Sequence, residues 1–161
     1  MKATLKLPTA LLLLAVVSVA FVGVPQWRHL HTAQQRAHDR ADAISVAKLE
    51  VADLTTLSPS TLDAQLVQLK ERLTGSFARQ FEAFYATFAS VVKEQKVTSR
   101  GSVQSVGLAS LTEKNAVALV AARAVVASKG QKSNLDRAYR FEVTLAKRGS
   151  LWLISGMRFV S

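Results

Sequence analysis

Hydrophobic and polar positions change rhythm twice along the chain. From Leu7 to Val24 run 18 residues without a charge, broken only by Thr9 and Ser18, with Pro8 at the tolerated start of a helix. At 1.5 Å per residue they span roughly 27 Å, close to a bilayer core of about 30 Å. Trp27 follows at interfacial depth. The pattern predicts a short tail (1–6) and a transmembrane anchor (7–27), with Leu7, Leu14, Val24 and Trp27 among its membrane-contacting residues. Ser18-Val19-Ala20 has small residues at the offsets a signal peptidase needs, which is the alternative. Cleavage there would leave Phe21-Val22-Gly23-Val24 as a greasy new terminus, so retention is the favoured reading. Lys2, Lys6 and the terminal amine before the run nearly balance Arg28, Arg36 and Arg40 after it, so the positive-inside rule does not orient the chain.

Spacing by threes and fours follows. Leu30, Ala33, Ala37, Ile44, Ala47, Val51 and Leu54 form one stripe of a long membrane-proximal helix (28–57), with Arg36, Asp39, Arg40, Asp42 and Lys48 mostly on its other faces. A second helix carries Leu62, Leu66, Leu69 and Leu73 on one side, with Ser60 and Asp63 as a capping box and Gly75 as a left-handed stop. A third carries Phe77, Phe81, Phe84 and Phe88 with Tyr85 beside them, five of the eleven aromatic residues of the chain. This pattern reads as a core helix laid against a sheet; the alternative is that the rings line an apolar ligand cavity.

From Val97 the period becomes two and β-branched residues take over. Four strands are predicted, over 97–110, 115–128, 136–148 and 151–160, with short turns that make successive strands antiparallel neighbours. Tyr139, Phe141, Val143 and Leu145 point one way along the third strand, and Arg140, Glu142 and Thr144 the other. The second strand, Ala116 to Ala127, is apolar on both faces, so it is central or its outer side meets a partner. Trp152 and Ile154 alternate inward on the last strand, toward Phe81, Phe84 and Phe88. The fold class is therefore α+β, an N-terminal transmembrane helix followed by helices packed on one face of a four-stranded antiparallel sheet, with the α+β domain over 58–161. Phe77, Phe81, Phe84, Tyr85, Phe88, Tyr139, Phe141 and Trp152 are its expected core or cavity-lining residues.

Composition narrows the chemistry more than it names it. The 161 residues hold 21 Lys and Arg against 11 Asp and Glu, a net charge of +10. Such a surface attracts anionic headgroups, nucleic acid or acidic partners. Aromatic interleaving and nucleic-acid motifs are missing, so membrane lipids and protein subunits are the expected partners, with no nucleic acid. No Cys is present, which excludes disulfides, thiolate metal sites and a thiol nucleophile. His29, His31 and His38 all precede the globular part, so no Ser-His-Asp triad can be drawn within it. No glycine-rich phosphate loop occurs, and no cofactor or metal is expected. The one acid–base option, Glu142 or Asp136 with Tyr85 or Tyr139, is weaker than a solvated cross-strand charge pair at Glu142.

Taken together, the segments LKERLTGSFARQF, VTSRGSVQSVGLAS, AVALVAARAVV and RAYRFEVTLAKRGSLWLISGMRFV are similar to the Mce-associated membrane proteins of mycobacteria and related actinobacteria. In that family a leucine-rich helix ends in Thr-Gly before an aromatic helix, matched by Leu73-Thr74-Gly75-Ser76-Phe77. The final hairpin resembles the family's Gly-x-Trp-hydrophobic-hydrophobic-Ser, with one extra residue between Gly149 and Trp152. The resemblance implies a cone-like fold similar to nuclear transport factor, ketosteroid isomerase and the periplasmic assembly-factor domain of type IV secretion systems. It further implies a cytoplasmic tail, an extracytoplasmic domain, and a non-catalytic role in stabilising or assembling an Mce-type lipid or sterol import complex. Transporter subunits or homologous Mce-associated proteins would be its partners, in a homo- or hetero-oligomer. The alternatives are a small apolar-ligand binder or isomerase-like enzyme using the cone cavity, and an assembly factor of a secretion system.

Overall fold

The computed structural model describes residues 33–131 and 133–160. The anchor expected at 7–27, with Leu7, Leu14, Val24 and Trp27, lies outside them. Among the described residues no helix is long and apolar enough to cross a membrane. Two compact units divide the chain, Met1–His38 and Asp39–Ser161. Of the first, residues 33–38 are described; they are helical and exposed.

In the second unit, three helices accompany one sheet. Helix α1 (33–55) continues into it, and α2 (Leu62–Glu71) and α3 (Gly75–Glu94) follow. Strands β1 (Thr98–Leu111), β2 (Asn115–Ala127), β3 (Leu135–Arg148) and β4 (Leu151–Phe159) form an antiparallel meander in sequence order. The boundary expected at residue 58 is displaced. Ala43, Ala47 and Val51 of α1 are wholly buried in one cluster with Ala116, Ala118, Val120, Phe141, Val143, Leu145, Trp152 and Ile154 of the sheet. The stripe expected through Ile44 is rotated to Asp39, Ala43, Ala47, Glu50, Val51 and Thr55, because alanines let the helix approach closely where isoleucine would hold it off.

Three register shifts shape the sheet. In β1 the register shifts between Val103 and Ser105 and again between Leu108 and Ser110. Each shift inserts one residue, so Val103, Val106, Leu108 and Leu111 all pack against the core cluster despite spacings of three. In β4 the extra residue is Ser155: Ile154 pairs with Leu145, whereas Gly156 pairs with Thr144. The inward set therefore changes from Trp152 and Ile154 to Met157 and Phe159, which face Val143 and Phe141 across the ladder.

Loops pin both sheet edges. Leu57 exchanges two backbone hydrogen bonds of 2.9 Å with Ser99 at the start of β1. Beside β4, the Ile154 N–H donates to the Arg72 carbonyl and the Thr74 N–H to the Ile154 carbonyl, both at 2.8 Å. Gly75 has a positive φ of 66° but opens α3; it is not the stop of α2, which ends on Arg72 in right-handed conformation. Nor does Ser60 cap α2: the N-cap is Thr61, and the Ser60 hydroxyl meets that of Ser58 at 2.9 Å. Leu62, Leu66, Leu69 and Leu73 are buried as the spacing implies.

Trp152 lies in the main core, where Phe77, Ala78 and Phe81 pack against its cluster. The expected contacts to Phe84 and Phe88 are not part of that cluster. Lys147, ion-paired with Asp39, sits 5.7 Å over the indole ring, while the indole N–H has no hydrogen-bond partner among the described residues. Trp152→Ala is expected to cost about 3–5 kcal/mol in urea unfolding and to leave little folded domain. Trp152→Phe, which removes the orphaned donor but also leaves a cavity where the larger indole lay, is expected to cost less than Trp152→Ala, about 1–2 kcal/mol. At Gly101 an added Cβ would lie 2.0 Å from the Thr55 hydroxyl oxygen and 2.8 Å from the Thr55 carbonyl carbon. Gly101→Ala is therefore expected to lose about 1–3 kcal/mol in the same assay, since backbone must move.

Candidate functional site

Helix α1 ends at residue 55, beside Ser99 and Gly101 near the start of β1. Beyond that end, α3 crosses with its aromatic face toward β3 and β4, and the space between is a cleft of about 540 Å³. Its lining is overwhelmingly apolar: Leu54 and Leu57 from the end of α1 and the following loop, Phe77, Phe81, Phe84 and Phe88 from α3, Val97 and Val126 from the β1–β2 side, and Tyr139, Phe141, Met157 and Phe159 from β3 and β4. Rings interlock on the sheet side, with Phe141 and Phe159 centroids 4.9 Å apart and Tyr139 and Phe159 6.1 Å apart. On the helix side Phe84 and Phe88 lie 5.9 Å apart.

Of the ring residues expected at a core or cavity, Phe77, Phe81, Phe84, Phe88, Tyr139 and Phe141 line this cleft. Tyr85 instead packs against the Leu62–Leu66–Leu69 cluster, edge-on to Phe81, and Trp152 belongs to the main core. Between the two readings of the aromatic helix, Phe84 lies on the cleft side rather than in the core, and the residue is 59% exposed. Met157 and Phe159 were hidden from the alternation of β4 by the Ser155 bulge. The Ser155-Gly156 pair inside a strand pattern is the signal that could have revealed it.

Few polar groups enter. The Thr55 hydroxyl donates to the Val51 carbonyl at 2.7 Å, and the Ser99 hydroxyl to the Thr55 carbonyl at 2.6 Å. Gln80 and Arg158 stand at exposed positions, and Arg158 is held by Glu142 through bonds of 2.8 and 2.6 Å. The cross-strand charge pair expected at Glu142 is thus made with Arg158. Asp136 pairs with Arg123 on exposed surface. No carboxylate, imidazole or thiol is among the cleft's lining residues. Among the described residues no cluster of three or more His, Asp and Glu side chains is placed to hold a metal ion.

One turn before the cleft wall, Glu50 is fully buried. Its Oε2 accepts from Arg72 Nε at 3.0 Å, Arg72 also pairs with Asp53, and Glu50 Oε1 has no partner. Burial pushes the Glu50 carboxyl up to about 7, against the pull of the Arg72 guanidinium. The clasp joins α1 to the end of α2 and so fixes one wall of the cleft.

A family model described as "Uncharacterized protein Rv1363c/MT1408-like" matches residues 3–161. Rv1363c of Mycobacterium tuberculosis is 31% identical over 134 residues, which cover 83% of this chain and 51% of the relative; the chain thus spans about half of that protein's length. Among solved structures, a periplasmic fragment of TraM shares 17% identity at a TM-score of 0.60, covering 74% of this chain and 95% of the fragment. An IcmL-like type IV secretion system protein from Legionella pneumophila shares 12% identity at 0.59, covering 76% and 92%. An Ntf2-like protein involved in plasmid conjugation shares 14% at 0.50, covering 75% and 48%. At these identities the likeness establishes the fold, three helices on a four-stranded antiparallel sheet in the nuclear-transport-factor manner.

Glu50 also makes stability depend on pH. Its folded value of about 7 exceeds the unfolded value of 4.5, so between them the folded state holds a proton that the unfolded state has released. The contribution is fully present below 4.5 and is lost as pH rises through 7. Across the window it amounts to about 3 kcal/mol. Urea melts at pH 5, 6, 7 and 8 are expected to show Glu50→Gln gaining on the parent as pH rises; a constant difference would contradict the assignment.

Proposed function

This chain belongs to the Rv1363c/MT1408-like family, and from that premise we propose that it is a non-catalytic accessory subunit that assembles or stabilises a multi-subunit complex of the cell envelope. The carrying observation is the outer face of β2. This strand sits inside the sheet with Ala116, Ala118, Val120, Ala122 and Ala124 buried on one side. On its other side Val117 and Ala121 are half-buried and Leu119 is 46% and Val125 44% exposed, the row being interrupted before Val125 by Arg123, which pairs with Asp136. A strand that is apolar on both faces, with one face in water, is built to be covered by another protein. The cleft lacks the paired acid and base that an isomerase needs, which supports a binding role over a catalytic one.

The domain acts outside the cytoplasmic membrane, tethered by the apolar run at 7–27. Support comes from the likeness to a periplasmic fragment and to secretion and conjugation proteins. That likeness favours an assembly role of the secretion-system kind. The sequence resemblance through Leu73-Thr74-Gly75-Ser76-Phe77 and the Trp152 hairpin favours a second reading, in which the complex is an Mce-type importer of lipids or sterols. Fold alone does not decide function, so the partner itself is the test. A photo-crosslinking residue at Leu119 of the full-length chain in mycobacterial cells is expected to capture a membrane-complex subunit that one at exposed Glu113 does not. A secretion-type subunit supports the first reading, and a transporter subunit the second. Equal capture at both positions, or none, overturns the accessory role.

A further inference from the structure

Two apolar clusters hold this domain together, and the cleft runs between them. One is the sheet core beneath α1, with Phe141, Leu145, Trp152 and Ile154. The other joins α2 to α3, with Leu62, Leu66 and Leu69 against Ala89 and Val92. Phe81 packs on both, and the half-covered rings of the cleft lie at their boundary. Backbone pins tie the α2–α3 layer to the two opposite edges of the sheet. At β1 the pin is Leu57 with Ser99, and at β4 it is Arg72 and Thr74 with Ile154. Hydroxyl groups accompany the first: Ser99 donates to the Thr55 carbonyl, and Thr56 accepts from the Gly101 N–H. A carboxylate–guanidinium clasp accompanies the second. We propose that the α2–α3 layer is a flap over the cleft, hinged at Leu57 and latched at Arg72, and that ionisation of Glu50 releases the latch.

The chemistry of the clasp sets the direction. Glu50 is fully buried; one carboxyl oxygen accepts from Arg72 and the other has no partner among the described residues. Arg72 is shared with Asp53, so its charge does not serve Glu50 alone. The charged groups that act on Glu50 are these two, Arg72 from the end of α2 and Asp53 from α1. The sheet beneath α1 presents Ala118, Val120, Leu145 and Ile154, which carry no charge. The Asp39–Lys147 pair stands about 16 Å back along α1 by helical rise. A neutral carboxyl tolerates this place, whereas a carboxylate keeps an unsolvated oxygen there. Swinging the flap outward gives that oxygen to water, so the closed form holds the proton more tightly than the open one. Glu50 titrates at about 7 in the closed form against an ordinary value of 4.5, so opening is favoured progressively as pH rises between them. Arg72 also offers its carbonyl to the Ile154 N–H at 2.8 Å, so loss of its side-chain contact loosens the backbone pin beside it.

Hydrogen exchange of the full-length chain in lipid nanodiscs, at pH 5 and pH 8 and corrected for the intrinsic rate, tests the latch. The Thr74 and Ile154 amides are expected to lose protection about a hundredfold between the two, with no dependence on dilute urea. Val120, inside β2, is expected to stay far better protected and to respond to urea, because only whole-domain unfolding exposes it. Leu57 and Ser99, at the hinge, are expected to change by less than about threefold. Glu50→Gln is expected to erase the pH response of Thr74 and Ile154. Asp53→Asn removes, from a half-buried position, a charge that raises the Glu50 carboxyl, and is expected to shrink that response by about threefold or more. Protection at Thr74 and Ile154 that equals that of Val120 and shares its urea dependence would overturn the proposal. So would a pH response retained in Glu50→Gln or undiminished in Asp53→Asn, or equal changes at Leu57 and Thr74.

Discussion

Everything in this domain rests on how closely helix α1 lies on the sheet. Its buried face is alanine at 43 and 47 and valine at 51, set in one cluster with the alanines of β2. Small side chains on both surfaces bring helix and strands together, and the approach is tight enough that Gly101 admits no Cβ beside Thr55. Helix α1 therefore fills little volume. The large residues of the core, Phe141, Leu145, Trp152 and Ile154, come from β3 and β4, and α3 covers them with Phe77 and Phe81. The cleft lies between the end of α1 with its following loop, the rings of α3, and strands β3 and β4.

The polar interior serves the same placement. Asp39 on α1 pairs with Lys147 on β3, and Glu50 and Asp53 pair with Arg72 at the end of α2. Buried ion pairs contribute little net stability, since desolvation offsets attraction. Their use is to define position, because a slid or rotated helix would strand a charge. With Arg72 so fixed, the next residues hydrogen-bond to Ile154 and occupy the edge of β4. The result is a domain with two unlike apolar surfaces, a concave aromatic one beneath α3 and a flat one along β2.

Much of this was legible in the chain. Period-two alternation with β-branched residues fixes strand geometry locally, so four strands were predicted to within a residue or two and their meander followed from short turns. The leucine spacing of α2 was equally clear, because Leu62, Leu66, Leu69 and Leu73 answer only to helical pitch. The α+β class, the inward face of β3 and the doubly apolar character of β2 needed nothing beyond periodicity.

What periodicity could not supply was how far each face is covered. A phenylalanine every three or four residues reads the same whether the helix lies flat on a sheet or bridges a gap, so Phe84 was left as core or cavity-lining, and it stands 59% exposed. Bulges at the register shifts of β1 and β4 depend on partner strands, and only pairing with β3 turned Met157 and Phe159 inward. Nothing in the periodicity singles out Glu50; its burial beside Arg72 was set by the rotation that the alanines allow. Local pattern thus determined the elements. The closeness of their packing, which depends on side-chain volumes meeting across the structure, decided where a cleft would open and which residues would face it.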